Sequence, residues 1–326
     1  MRALVVARLT PDYAGCQVTD VPIPEPGPGE VRVRVRACAV NFPDLMQTRG
    51  EHQHKPALPF VPGLELAGEV DAVGEGVTAL QIGDPVAGGA RGGAAEFAVA
   101  PAAALVRKPP GLTFAQAAGF PVAYLTAYVA LVRAARVQPG EWVLVHGAAG
   151  GVGLAAVDLA QALGAKVIAA SASDAKLAVI AQEYAPDATV NSAPGFREAV
   201  KALTGGKGAD VIYDPVGGDV FDESVRCIAF GGRILSIGFT SGRLPVLPVN
   251  IALIKGFSLH GVRAGEYGRQ FPKEGAENVA AIWDMARAGR LRPRVHAEFP
   301  LDAWRAAFDT LSERTVIGKT VIRPDL

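Results

Sequence analysis

Apolar and polar positions repeat with two different periods along this chain. Val31, Val33 and Val35 interleave with Arg32, Arg34 and Arg36, a period of two that predicts a strand with valines inward and arginines toward solvent. Pro22, Pro24, Pro26 and Pro28 come before it and predict an extended connection that cannot donate to a ladder. Turn signals then crowd the chain at Pro62-Gly63, Gly74-Glu75-Gly76, Gly83-Asp84-Pro85 and Gly88-Gly89. Short strands between frequent turns predict a small irregular barrel over residues 1 to about 110.

From about Thr113 the texture changes. Ala-rich apolar helices are predicted at 113–119 and 123–134, after which strand and helix alternate. Strands are expected at 142–146, 166–170, 188–190, 209–213 and 233–237, with another near 257–262. Helices are expected at 152–163, 174–184, 195–203 and 219–229. Apolar strands alternating with helices predict a parallel sheet covered on both faces. Helix 271–288, strand 295–299, helix 302–312 and strand 318–322 follow. That tail is short for a third domain, so it is expected to return and complete the first. The expected division is a first part at 1–121, an inserted cofactor domain at 122–264 and a return segment at 265–326, with the active site in the cleft.

The alternation centres on Trp142 to Gly153, WVLVHGAAGGVG. Val143 to Val145 suit a strand buried on both faces. Gly147, Gly150, Gly151 and Gly153 fill the turn into an apolar helix that Gly164 stops. Glycines there let backbone approach a pyrophosphate, which the helix N-terminus favours with free N–H donors and its positive dipole end. The fingerprint G-x-G-x-x-G reads with Ala148 in first place, then Gly150 and Gly153. An acid ending the second strand would accept from an adenosine ribose, but this strand ends Ala169-Ala170-Ser171. Ser171, Ser173 and Lys176 suit a 2′-phosphate instead, which points to NADP(H). Ser173 also suits a helix cap, and Lys176 a solvated surface.

Of the 326 residues half are hydrophobic, enough for two domains and a large core. Lys+Arg and Asp+Glu are 32 each, so zero net charge gives no reason to expect nucleic acid or an anionic membrane as partner. Cys16, Cys38 and Cys227 are far apart and odd in number, with no metal knuckle. They fit a reduced, cytoplasmic setting. MRALVVARL is too short and too soon charged for a secretory signal. The longest apolar stretch, Ala115 to Val132, contains Pro121 and two tyrosines and reads as a buried helix rather than a membrane span.

Several separated motifs together resemble the medium-chain dehydrogenase/reductase superfamily, and within it the zinc-free quinone oxidoreductases. They are PxPGPGEVRVRVRACAVNFPD, PGLELAGEV, GGAAEF, TAY at Thr126 to Tyr128, HGAAGGVG, DPVGG at Asp214 to Gly218 and GKTVI. The resemblance covers essentially the whole chain. It implies an α/β protein, a GroES-like β-barrel catalytic domain plus a doubly wound Rossmann cofactor domain, commonly a homodimer. Its zinc relatives hold the catalytic metal by a Cys where this chain has Asn41 and a His where it has Leu64. A catalytic zinc needs three protein ligands, so no metal is expected. His52 and His54 form an i, i+2 pair in a loop; His146, His260 and His296 are scattered.

Without a Lewis acid, reversible alcohol oxidation loses its usual help. Hydride delivery to an electrophilic acceptor, a quinone or an α,β-unsaturated carbonyl, remains. The resemblance places Asn41 near the nicotinamide, where its amide would serve a carbonyl oxygen or the ring carboxamide; the other reading of Asn41 is a turn residue before Phe42-Pro43. Asp44 would orient the loop or cofactor ribose. Met46 and His52 stand where relatives often carry tyrosines, which leaves His52 as candidate donor to an oxyanion. Solvent, Tyr124 or Tyr128 are substitutes. The cofactor set implied is Asn41, Thr126, Gly150, Gly151, Val152, Ser171, Lys176, Ser192, Phe239, Thr240, Gly261, Val262, Arg263 and Lys319. Ser192 stands where a tyrosine is often found, and Lys319 reads equally as a surface lysine on a strand edge. The expected function is an NADPH-dependent quinone or enone reductase. The alternatives are an enoyl-thioester reductase, with Arg49, Arg263 and Arg269 as candidates for a basic groove, or a protein that binds NADPH without turnover.

Overall fold

A computed structural model describes residues 1–326. The chain divides into two compact units, Met1–Val122 with Pro293–Leu326, and Ala123–Arg292. The return to the first unit therefore starts at Pro293, later than residue 265. The helices between belong to the second unit, where the Arg133 guanidinium binds Asn278 and Glu277.

The first unit opens with the antiparallel pair β1 (Arg2–Val6) and β2 (Cys16–Asp20). Strand β3 (Glu30–Ala39) is its spine. Val31, Val33 and Val35 point into the core as their spacing predicts. The alternate arginines face a row of acids on β4 (Glu65–Val73): Arg32 and Arg34 bind Asp71, and Arg36 binds Glu69. Strands β5 (Pro85–Gly89), β6 (Phe97–Pro101) and β7 (Leu105–Arg107) follow. The segment after Asn41, expected as loop, opens with helix α1 (Phe42–Arg49). Pro43 suits its first turn, and the Asp44 carboxylate reaches back to the Asn41 N–H at 2.8 Å. Helix α2 (Phe114–Ala118) starts at Thr113, whose hydroxyl accepts from the Gln116 N–H.

The second unit begins at Ala123, inside α3 (Pro121–Tyr128), whose final turns widen to a π-helix over Val129–Ala134. Strand and helix then alternate: β8 (Trp142–Val145), α4 (Gly151–Ala162), β9 (Lys166–Ser171), α5 (Asp174–Tyr184), β10 (Ala188–Asn191), α6 (Arg197–Leu203), β11 (Ala209–Asp214), α7 (Gly218–Cys227) and β12 (Ile228–Ser236). Helix α8 (Val249–Lys255), β13 (Ser258–Gly261), α9 (Ala264–Gln270) and α10 (Pro272–Arg287) complete it. The six strands are parallel, in the order β10-β9-β8-β11-β12-β13. The order reverses between β8 and β11, the switch point where ligands of such sheets bind. Helices α8 and α9 had no counterpart in the apolar periodicity; α8 leaves Val249, Leu253 and Ile254 exposed and packs Ile251 against the core.

Back in the first unit, β14 (Val295–Pro300), α11 (Trp304–Ser312) and β15 (Lys319–Arg323) close the chain. The strand path there is β14-β15-β3-β4-β5-β7, with β6 on the side of β3. Trp304 and Phe308 of α11 meet Tyr13 edge to face. This architecture is the GroES-like and Rossmann pair that the motifs imply.

Candidate active site

Strands β15 and β4 and the residue that follows β3 bring three polar side chains, Lys319, Glu65 and Asn41, into one buried group. Strand β15 runs antiparallel to β3 with Val321 opposite Ala39. Carried two residues further, that register sets Lys319 beside Asn41. Strand β4 pairs Leu66 with Cys38, so Glu65 falls at the same level. The Lys319 ammonium spends its three donors here: Val40 O at 3.1 Å, Asn41 Oδ1 at 2.5 Å and Glu65 Oε1 at 2.9 Å. Asn41 Nδ2 donates to Glu65 Oε1 at 2.9 Å and, at a long 3.4 Å, to Ala39 O. Glu65 Oε2 accepts the Val122 N–H at 2.7 Å. Glu65 is wholly buried and Lys319 is 8% exposed. An unpaired charge there would be costly, and the pairing offsets it.

Lys319 is thus neither a surface lysine nor a free donor to a ligand. Asn41 is more than a turn residue, since both ends of its amide are bonded inside the protein. Asp44 accepts the N–H groups of Asn41 and Gly63 at 2.8 and 3.1 Å. Burial nonetheless lifts its carboxyl to about 7, and the same burial pushes the Cys38 thiol well up. Sequence reasoning missed Glu65. The available signal was an acid starting an otherwise apolar strand, a residue type rarely buried unless paired.

His52 lies apart from this group, in the loop after α1. Its Nδ1 lies 3.1 Å from the His54 N–H and 3.2 Å from the His54 carbonyl oxygen, so it accepts from the one or donates to the other according to the tautomer. Tyr124, the suggested substitute donor, is committed in the second unit: its hydroxyl donates to Asp158 Oδ2 at 2.7 Å. Asp158 also accepts the Arg292 N–H at 2.6 Å. His146 is buried against Phe196, shares a hydrogen bond with Ser224 and is pushed down to about 3 by desolvation.

In the second unit most of the expected cofactor residues line the C-terminal edge of the parallel sheet. Gly147 to Gly150 form the turn after β8, and no side chain caps α4 at Gly150. The N–H groups of Gly151 and Val152 therefore begin that helix without a side-chain acceptor. Gly153 is required by close approach, since a Cβ there would lie 2.2 Å from Gly147 O. Ser171 ends β9, and its carbonyl accepts the Ser192 N–H at 3.0 Å. Ser173 caps α5 and Lys176 lies in its first turn, its ammonium pKa lowered by partial burial. Asp174, in the same turn, is held by Asn191 Nδ2 at 2.7 Å. The Asp214 carboxylate folds the DPVGG turn, accepting from Val216 and Gly217. That turn meets the one after β12, where the Thr240 N–H and hydroxyl both bond Pro215 O. Phe239 is 44% exposed there. Val262 N–H bonds Ser236 O at the end of β13, with Gly261 and an exposed Arg263 on either side. Thr126 lies half-buried on α3.

This edge fits a dinucleotide: a glycine cradle that a Cβ would fill, helix N–H groups awaiting an anion, and a lysine beside an acid-free strand end. Zinc is a different case. No three His, Cys, Asp or Glu side chains gather into a group that could hold a metal ion. The amide oxygen of Asn41, at one position where the zinc relatives carry a ligand, is already taken by an ammonium.

Residues 27–110 match the family model of the alcohol dehydrogenase GroES-like domain, and residues 151–281 that of the zinc-binding dehydrogenases. Fold and models together define a medium-chain dehydrogenase/reductase. The chain is 44% identical over 291 residues to a quinone oxidoreductase-like protein 2 homolog of Nematostella vectensis, covering 88% of this chain and 79% of that one. A mycobacterial protein complexed with NADPH superposes with a TM-score of 0.90 at 32% identity, over 99% of this chain and 100% of that one. An NAD-dependent alcohol dehydrogenase does so with a TM-score of 0.90 at 35% identity, over 99% of each chain. This chain belongs to the quinone oxidoreductase branch of the superfamily, an oxidoreductase family that works with nicotinamide cofactors.

Proposed function

We propose that this oxidoreductase takes NADPH and reduces a quinone or the β-carbon of an α,β-unsaturated carbonyl, without a metal ion. The observation that carries the reading is the sheet's C-terminal edge: an uncapped α4 behind a glycine turn, beside a strand that ends in Ser171 with no acid. The helix N-terminus and its glycines would hold the pyrophosphate. Ser171 and Lys176 would hold the 2′-phosphate, and a nicotinamide so placed supplies the hydride. In the first unit, Asn41 would serve the acceptor's carbonyl or the ring carboxamide. His52 is the protein's own candidate proton source, and solvent is the other. The quinone oxidoreductase-like relative and the NADPH-bound neighbour support the assignment.

Stopped-flow absorbance at the NADPH band, with panels of quinones, enones and enoyl thioesters, tests it. Oxidation with quinones or simple enones is expected. Turnover confined to enoyl thioesters would replace the acceptor class, and tight NADPH binding with no turnover would make the chain a binding protein.

The same reading includes a homodimer of small-molecule enzymes in the cytoplasm. Three buried free cysteines suit a reduced compartment, and no helix is long and apolar enough to cross a membrane. Strand β13 ends the sheet order with one side unpaired. Beside it Phe230, Val249, Leu253 and Ile254 are each more than 70% exposed. An open strand flanked by apolar side chains invites another strand, and a second copy would meet it isologously. Leu253→Glu should convert a dimer to a monomer in sedimentation equilibrium. A wild type that sediments as one chain would remove the dimer.

A further inference from the structure

We infer that Lys319 and Glu65 are positioning residues for Asn41: the pair locks its amide in one orientation, and the ammonium polarises it toward the ligand. The inference deepens the hydride-transfer reading and rests on it for its functional consequence.

The orientation is unambiguous. An ammonium only donates and a carboxylate only accepts, so Asn41 must turn Oδ1 to Lys319 and Nδ2 to Glu65. One hydrogen of Nδ2 is tied to Glu65 at 2.9 Å. The other makes only the long bond to Ala39 O at 3.4 Å, the weaker of the two, so it is the hydrogen for which a ligand's oxygen would compete. A cation against Oδ1 draws electron density through the conjugated amide and strengthens donation from Nδ2, the way bonds in a chain polarise one another. The site is nearly dry, so the field of the ammonium is weakly screened. The Lys319 stem is itself held in place: a Cβ on Gly119 would sit 3.0 Å from Lys319 Cβ. The ammonium on Oδ1 and the carboxylate on Nδ2 therefore polarise the amide in the same sense, from side chains on β15 and β4.

A purely structural salt bridge would do none of this, and the double variant Lys319→Met with Glu65→Gln separates the two. It removes both charges while keeping similar bulk. Expected are a melting temperature recovered relative to Lys319→Met alone, which strands the Glu65 charge, and NADPH affinity within about twofold of wild type. Turnover with the acceptor should stay at least about tenfold down, the scale of losing a polarising contact in the transition state. Selective 15N labelling of asparagine gives a second readout: the Asn41 side-chain amide protons should move upfield when the ammonium is lost.

Turnover that recovers along with stability, with unshifted amide protons, overturns the inference. Should the double variant fail to fold, Lys319→Arg keeps a charge beside Oδ1. It should hold the amide protons near their wild-type shift and retain turnover, whatever its melting temperature; protons moved as far as free asparagine would refute the idea. A wild type inert toward every acceptor defeats the hydride reading alone, because the amide shifts are read without turnover.

Discussion

Gly153→Ala places one methyl group where backbone already stands. The new Cβ would lie 2.2 Å from Gly147 O, 2.8 Å from Gly147 C and 3.0 Å from Ala148 Cα. All three are main-chain atoms of the turn that starts the cradle, so no side chain can swing aside. Relief requires α4 to back away from the turn by about 1 Å, the gap between that approach and ordinary contact. Overpacking of this kind costs about 1–3 kcal/mol, and a rigid backbone obstacle belongs at the upper end. Alanine recovers up to about 1 kcal/mol as the better helix former. The net is a loss of about 2 kcal/mol, or about 4–8 °C for a unit of this size. The N–H groups of Gly151 and Val152 move with the helix, so NADPH affinity should fall at least about tenfold. Gly150→Ala is the control, because its Cβ meets only Gly147 O at 3.4 Å. Scanning fluorimetry and titration calorimetry on both variants read the two quantities. A Gly153→Ala protein that melts with wild type and binds NADPH equally well would refute the close-approach argument. A drop in affinity for Gly150→Ala without a change in melting would instead mark direct contact between ligand and turn.

Two further outcomes follow from the same geometry. Lys176→Ala should weaken NADPH about ten- to a hundredfold, the worth of a charge-assisted hydrogen bond, and leave NADH unchanged. Equal losses for both coenzymes would take Lys176 away from the 2′-phosphate. For Asp44, burial raises the carboxyl to about 7, whereas an unfolded aspartate releases its proton near pH 4. The folded chain then holds a proton that the unfolded chain has lost, so stability is full at low pH and declines as pH rises from about 4 through 7. The decline is up to about 4 kcal/mol at about 1.4 kcal/mol per pH unit. Urea midpoints of wild type relative to Asp44→Asn, taken from pH 4 to 8, should show it; a difference flat in pH would place the titration elsewhere.

Period and punctuation in the sequence were enough to define the parallel sheet, its strand-to-helix turn and the absence of an acid after β9. These are local matters: an apolar strand, a glycine where the backbone approaches, and a helix start each leave a signature within about a dozen residues. Helix α1 was missed because Phe42-Pro43-Asp44 reads as a turn until the Asp44 carboxylate is seen closing on the Asn41 N–H. Helix α8 was missed because Val249, Leu253 and Ile254 face outward while only Ile251 and Ala252 pack on the core, against the rule that periodicity tracks a core. The range of the return segment also depended on packing, since helices after residue 265 show no local sign of which unit they join.

The group around Asn41 belongs wholly to tertiary structure. Glu65 and Lys319 lie on β4 and β15 and Asn41 just beyond β3, in distant parts of the chain, and only the pairing of β15, β3 and β4 sets them level. A sequence shows that each residue has a charge or an amide. It does not show that one carboxylate and one ammonium have lost their water together, and that shared desolvation makes them a pair and fixes the amide between them.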